Sequence, residues 1–338
     1  MTATMQALVK AGPGQAGTQL REVPVPSPGR GQIRVAVRGT GICGTDLHIM
    51  DDEYLSVPPV VMGHEVTGTV AAVGEDVSED AVGRRVALET YYVTCGACLY
   101  CRTGSPNLCA QRRSIGSHVD GGFAEQVVVP LHNAHDVAPS VGESAGALYE
   151  PLACVAHALC DPAVASPGDT ALVVGPGAMG LLAAQVLVAQ GAAVTVLGTA
   201  RDALRLAAAE DLGMQATLPD DLRVPGPGFD VVADCSGNAA GIATALESAR
   251  KGGRYVQIGL CGRPVPVALD VVCLHELTVT SGFASTPRSW HRAERLVGGG
   301  HVRLDPLVSD VLALAQWEQA VTRTRAGDGV KFVLEPRR

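Results

Sequence analysis

Residues 170–180 read Thr-Ala-Leu-Val-Val-Gly-Pro-Gly-Ala-Met-Gly. Thr170–Val174 is short, apolar and closed by glycine, the pattern of a strand buried on both faces. Gly175, Gly177 and Gly180, with Ala178 and Met179 between the last two, follow at G-x-G-x-x-G spacing and open a helix-periodic segment from Leu181 to Gln190. Strand, turn and helix in that order predict a dinucleotide site. The turn needs glycine, and the backbone must approach a pyrophosphate that the helix N-terminus attracts. Further along, Ala193–Leu197 predicts a strand and Ala203–Leu212 a helix, with more strands at Asp230–Asp234 and Arg254–Ile258. Alternation of this kind predicts an α/β, doubly wound parallel sheet covered on both faces.

A coenzyme of this class usually meets an acid at the end of the second strand, which holds the adenosine ribose hydroxyls. Here the strand runs out as Leu197-Gly198-Thr199-Ala200-Arg201-Asp202, with no acid at the expected place. Arg201 and Arg205 stand four apart, so a helical start would put them on one side. Arginines pair with a 2′-phosphate that an acid would repel, so NADP is expected over NAD. Asp202 can also be read as a shifted acid, which keeps NAD possible.

Ahead of this region, residues 1–149 read as β-rich. Gln32–Arg38 and Val66–Val73 alternate or are β-branched between glycine and proline turns. The 338 residues, 47% hydrophobic and 18% charged, suffice for two cores. A net charge of −8 argues against a nucleic-acid partner. Met1–Lys10 lacks the n- and h-regions of a signal peptide, and no apolar run approaches the ~20 residues that span a bilayer. A cytoplasmic protein with no membrane partner is therefore expected, where stable disulfides are rare.

The ten cysteines then need another explanation. Cys95, Cys98, Cys101 and Cys109 have the spacing of a closed four-thiolate zinc site, which staples a loop and leaves no position for substrate. Cys154, Cys160, Cys235, Cys261 and Cys273 read as small core residues.

Three further motifs occur in order: Gly41-Ile-Cys43-Gly-Thr45-Asp46-Leu-His48, Gly63-His64-Glu65, and Tyr149-Glu150-Pro151-Leu152. With the cysteine lobe and the glycine turn, the chain resembles the zinc-dependent medium-chain dehydrogenases over essentially its whole length. The resemblance implies a GroES-like catalytic domain (1–149 and 285–338, zinc lobe 90–110), with the crossover near Phe283–Arg288, and a Rossmann coenzyme domain (150–284). It implies Cys43 and His64 as catalytic-zinc ligands, with either Glu65 or Glu150 completing the set. Asp46 would orient His64, and Thr45 and His48 would carry the substrate proton outward. Ile258 and Lys331 are implied at the coenzyme. The Glu-Pro-Leu form is similar to the sorbitol, ketose and threonine dehydrogenase branch, and Thr199-Ala-Arg201 with Arg205-Leu206 resembles NADP-linked ketose reductases.

The expectation is therefore an enzyme with two zincs per chain, preferring NADP. It would transfer hydride between the coenzyme and a secondary alcohol or ketone, a polyol, cyclitol or ketose, as a homodimer or homotetramer. Threonine-type 3-dehydrogenation and simple alcohol oxidation with NAD are the alternatives. A non-catalytic cofactor-binding protein would be expected to have lost Cys43, His64 or Glu150. Asp51, Asp52, Tyr54 and Ser117 are the candidates for lining the substrate pocket.

Overall fold

The structure is a computed structural model that describes residues 3–336. The chain divides into two units: Met1–Glu150 with Val308–Ala326 and Lys331–Arg338, and Pro151–Leu307 with Gly327–Val330. The first boundary falls within one residue of the expected one. The second does not, because the return to the first unit comes at Val308 and not at 285. The helix Pro287–Gly298 buries Trp290, Ala293 and Val297 within the second unit. Its Arg292 pairs with Asp161 at 3.0 Å. Beyond it, the Arg303 backbone and the Gln185 side chain exchange two hydrogen bonds, at 2.8 and 3.2 Å.

In the first unit a seven-stranded sheet is centred on Gln32–Gly41, which pairs antiparallel with Glu65–Val73, Gln126–Pro130 and Lys331–Glu335. Strand periodicity sends Ile33, Val35 and Val37 to one face, where each is at most 1% exposed against Val66, Val70, Val86, Val127 and Val129. Burying such a side chain is worth about 1.5–3 kcal/mol, so a one-residue slip that turned all three outward would be prohibitive. A second cluster joins Ile42, Ile49 and Met50 to Trp317 and Phe332 from the returning C-terminal segment. That segment's strands, Val308–Ala313 and Lys331–Glu335, pair parallel to each other.

The second unit carries a six-stranded sheet, parallel throughout. Its order is Gln215–Thr217, Ala193–Leu197, Thr170–Val174, Phe229–Asp234, Ala249–Gln257, Thr278–Ser281. In sequence order this is 3-2-1-4-5-6, the doubly wound arrangement whose ligand crevice opens where the order reverses, beside Thr170–Val174. The helix after that strand, Ala178–Ala189, is apolar almost all round and buried along most of its length. Of the five cysteines expected in the core, Cys154, Cys160, Cys235 and Cys261 are only partly buried and Cys273 is exposed, on the short helix Leu269–Leu274, which buries none of its residues.

Candidate functional site

The four-cysteine lobe closes on itself. The sulfurs of Cys95, Cys98, Cys101 and Cys109 all lie within 4.8 Å of one another. The Cys98 amide donates to Cys95 Sγ at 3.3 Å, and the Cys95 amide donates to Cys109 Sγ at 3.5 Å. Amide donation from Ala97 and Cys98 draws the Cys95 thiol down to about 6. The Cys101 amide also draws on Cys98, but burial and the neighbouring thiols push that group up to about 11. Four sulfurs this close suit a divalent cation, whose binding would release thiol protons.

The second cluster is built on the first unit's sheet and one short helix. Cys43 caps Gly44–Met50, and Asp46 sits at the third position of that helix. Its Oδ2 accepts from the Cys43 amide at 2.9 Å, while Oδ1 stands 3.3 Å from His64 Nδ1. This last pair is at ion-pair distance without hydrogen-bond geometry, so Asp46 Oδ1 is buried without a hydrogen-bond partner. Burial alone would push His64 down. The Asp46 carboxylate and the Cys43 thiol outweigh it and raise the imidazole well above its ordinary range. Cys43, His64 and Glu65 bring one thiol, one imidazole and one carboxylate within 4.8 Å of each other.

Glu65 has a partner that spacing could not reveal. Both of its oxygens accept from Lys331 Nζ, at 2.8 and 2.7 Å, and the same ammonium donates to Ile42 O at 3.0 Å. All three ammonium protons are thereby used. Lys331 is 5% exposed and Glu65 1%. Gly41 makes the room, since a Cβ there would stand 2.1 Å from Glu65 Oε2. Burial would lower the Lys331 pKa, but the charges of Glu65 and Cys43 raise it. Lys331, expected at the coenzyme, thus belongs to the metal-ligand pocket of the first unit. Glu150 is not one of the three residues in that grouping, and its Oε1 accepts from Thr90 Oγ1 at 2.8 Å.

Thr45 and His48 lie one turn apart on the Gly44–Met50 helix. His48 Nδ1 meets Glu53 Oε2 at 2.7 Å. The candidates for the substrate pocket are otherwise engaged. Asp52 pairs with the buried Lys10 at 2.7 Å, Asp51 with Arg325 at 2.8 Å, and Ser117 Oγ with His118 Nδ1 at 2.9 Å, while Tyr54 packs on the core cluster. Asp51 and Asp52 therefore fasten the loop after the helix.

In the second unit the glycine turn links the strand Thr170–Val174 to the helix Ala178–Ala189. Gly175 has φ +98°, a conformation that L side chains rarely adopt. A Cβ on Gly180 would stand 1.9 Å from Gly175 O, so the helix can approach the strand only without one. A Cβ on Gly177 would meet nothing within 4 Å. That open space, at the N-cap of Ala178–Ala189, suits a pyrophosphate. The turn borders a cavity of about 320 Å³, lined also by Gly198, Thr199, Asp202, Arg205 and Ser236. Arg201 is exposed in the 3₁₀ turn Ala200–Asp202, whereas Arg205 is partly buried in the helix Ala203–Asp211. The two arginines are not on one helical face, because the helix starts only after Asp202. Ile258 follows the strand Ala249–Gln257 and donates its amide to Asp234 O at 2.9 Å.

Two family models match the chain: the alcohol dehydrogenase GroES-like domain over residues 29–139 and the zinc-binding dehydrogenase domain over residues 178–298. A sorbitol dehydrogenase of Halalkalibacterium halodurans is 34% identical, covering 98% of this chain and 99% of the relative. The chain belongs to the zinc-dependent medium-chain dehydrogenases. It is an enzyme of the alcohol and polyol dehydrogenase type, an oxidoreductase that uses a nicotinamide coenzyme. An L-threonine 3-dehydrogenase of Bacillus velezensis is 31% identical over 99% of this chain and 100% of the relative. Among solved structures, a zinc-binding dehydrogenase of Sinorhizobium meliloti 1021 bound to NADP has a TM-score of 0.90 and 32% identity, covering 99% of this chain and 100% of the other.

The residues present suit the groups this dehydrogenase family carries. A thiol, an imidazole and a carboxylate make a borderline donor set for zinc. The Asp46 carboxylate stands beside Nδ1 and so leaves Nε2 for the metal. Four clustered thiols suit the second, closed zinc. Several contributors to this dehydrogenase were not legible in advance. Thr90, Glu53 and Gly329 carry no motif. Asp234, 0% exposed at the end of its strand, accepts from the Ser236 and Gly237 amides and from Gln257 Nε2 at 2.7 Å. An acid that ends a buried parallel strand was the signal for it.

Proposed function

We propose that the protein interconverts secondary alcohols and ketones with NADP(H), acting on a polyol, cyclitol or ketose. The observation that carries this reading is the Cys43–His64–Glu65 cluster with Asp46 behind the imidazole. A second observation, in the other unit, is a cavity at the glycine turn that Arg205 lines, with no acid directly after the second strand. Zinc held at that cluster would supply Lewis acidity toward an alcohol or carbonyl oxygen, and NADP(H) in the coenzyme cavity would supply the hydride chemistry.

The chain's own residues orient, charge and relay. Cys43 and His64 would hold the metal, and the Asp46 carboxylate faces the imidazole from its Nδ1 side at 3.3 Å. Glu65 accepts from Lys331 and Glu150 from Thr90, and each carboxylate keeps further lone pairs with which it could serve the metal. Thr45 accepts the proton of the alcohol, and His48, steadied by Glu53, passes it outward. If that relay operates, His48→Ala alters the pH–rate profile. The four cysteines hold the second zinc.

The family resemblance to sorbitol and ketose dehydrogenases and the sorbitol dehydrogenase relative favour a polyol. The threonine dehydrogenase relative keeps threonine-type 3-dehydrogenation as the second reading. Initial rates on polyols, cyclitols, threonine and simple secondary alcohols, each with NAD⁺ and NADP⁺, decide between them. Turnover of polyols with NADP⁺ preferred is expected. Turnover of threonine alone, or a clear NAD⁺ preference, would overturn the corresponding half of the proposal. The strand Thr278–Ser281 ends the second unit's sheet with all four residues exposed, which suits pairing with a second copy. A homodimer or homotetramer is therefore expected by light scattering.

A further inference from the structure

The stretch after the second strand of the coenzyme unit contains an acid whose role its position leaves open. Asp202 could hold the adenosine ribose, or it could serve a different purpose. Its hydrogen bonds distinguish the two. Oδ2 accepts from the Thr199 amide at 2.9 Å and from Thr199 Oγ1 at 2.8 Å. Oδ1 accepts from an Arg205 terminal nitrogen at 3.2 Å. Both oxygens are thus engaged within the protein, and the charge is matched by a guanidinium.

Arg205 is held from a second side as well. Its Nε donates to Gly329 O at 2.8 Å, a carbonyl 124 residues away in the short C-terminal segment that joins this unit. A Cβ on the neighbouring Gly327 would come within 3.5 Å of the guanidinium. Two of its five N–H groups are spent on Asp202 and Gly329, which leaves three donors on a side chain that lines the coenzyme cavity.

The place directly after the strand, where a ribose-binding acid would stand, is closed. A Cβ on Gly198 would lie 2.8 Å from Pro176 Cγ, 3.0 Å from Leu206 Cδ2 and 3.2 Å from Asp202 Cβ. The Pro176 contact is with the glycine turn itself, so an acid at 198 would press on the pyrophosphate loop.

We propose that Asp202 is a positioning residue for coenzyme selection: it clamps the 199–202 turn and holds Arg205 so that the guanidinium presents its remaining donors to a 2′-phosphate. This rests on the NADP reading above, and it assigns Asp202 the opposite effect from a ribose-binding acid. A ribose acid favours NAD⁺ and repels the 2′-phosphate. A clamp on Arg205 favours NADP⁺ and leaves NAD⁺ largely alone.

The test is direct binding by calorimetry, without turnover, of NADP⁺ and NAD⁺ to the zinc-loaded protein. The variants are Asp202→Ala, Asp202→Asn, Arg205→Ala and the double Asp202→Ala/Arg205→Ala. Loss of one ordered charge-assisted contact should weaken NADP⁺ about tenfold in Asp202→Ala, with NAD⁺ changed less than about threefold. Asp202→Asn, which keeps the acceptor toward Thr199 and the fold of the turn, should fall between wild type and Asp202→Ala. The double variant should bind NADP⁺ no more weakly than Arg205→Ala alone, because Asp202 acts through that arginine. A larger loss for NAD⁺ than for NADP⁺, or an undiminished further loss in the Arg205→Ala background, would overturn the assignment. The wild-type affinity ratio judges the NADP reading separately. A wild type that binds NAD⁺ more tightly would defeat that reading, while the comparison of single and double variants would still decide whether Asp202 works through Arg205.

Discussion

Lys331→Met keeps the length of a buried side chain and removes its charge, leaving Glu65 without its counter-ion. The 2.7 Å contact is worth about 6 kcal/mol at an effective dielectric near 20. Part of that is returned because the ammonium no longer has to be desolvated. The net cost of breaking a buried pair on one side is about 3–5 kcal/mol. Lys331 has a folded pKa raised above its unfolded value of 10.5, so its contribution is fully present below that pH and is lost only as pH rises through the folded value. A neutral assay therefore reads the whole effect.

Because the chain has two cores, a single melting temperature would mix two transitions. Native-state hydrogen exchange separates them. Amides of Gln32–Gly41 and Lys331–Glu335 should lose about 3–5 kcal/mol of protection, while those of Thr170–Val174 in the other unit should not change. Glu65→Gln in the same background should recover at least about 2 kcal/mol, because the charge left buried is then gone. A loss under about 1 kcal/mol, or strictly additive single and double variants, would refute the reasoning.

Metal analysis by mass spectrometry should find two zincs per chain. His64→Ala should remove one and abolish turnover, whereas Cys109→Ser should remove the other and make residues 90–110 sensitive to protease. Asp46→Asn should weaken the catalytic zinc about 10- to 100-fold in chelator competition, the usual cost of losing a residue that orients a histidine ligand. Asp230 accepts from the Thr170 amide at 2.8 Å and from Arg250 at 2.6 Å, in that order the causes of its lowered pKa. Its stabilisation is present above the unfolded value of 3.8 and is lost as pH falls through the lowered folded value. Urea titrations at acid pH should therefore show a shallower acid loss in Asp230→Asn than in wild type.

Much of the candidate site was legible because its signals are local. The glycine turn needs only strand, turn and helix in succession, and Gly175, Gly177 and Gly180 each take the place that spacing assigned. The cysteine lobe closes within fifteen residues. Cys43 and Asp46 share one helical turn, and His64 adjoins Glu65. The domain boundary after Glu150 was equally plain, since periodicity changes there. The return at Val308 was not, because the helix Pro287–Gly298 has an apolar stripe that either unit could have buried.

Residue type and spacing alone predicted the parallel α/β unit, its glycine turn and the four-cysteine cluster, whereas the Cys43 and His64 site was implied by the family resemblance. The first three each depend on backbone geometry that a dozen residues can specify. Only tertiary structure decided the charge pairing. Lys331 reaches Glu65 across 266 positions and Gly329 reaches Arg205 across 124. Nothing in either local sequence names the other. Such pairs form because the sheet brings Lys331–Glu335 beside Gln32–Gly41, and because the last crossing of the chain returns a short loop to the coenzyme unit. A buried charge then takes whichever opposite charge the fold delivers to it, since leaving it unpaired would cost several kcal/mol.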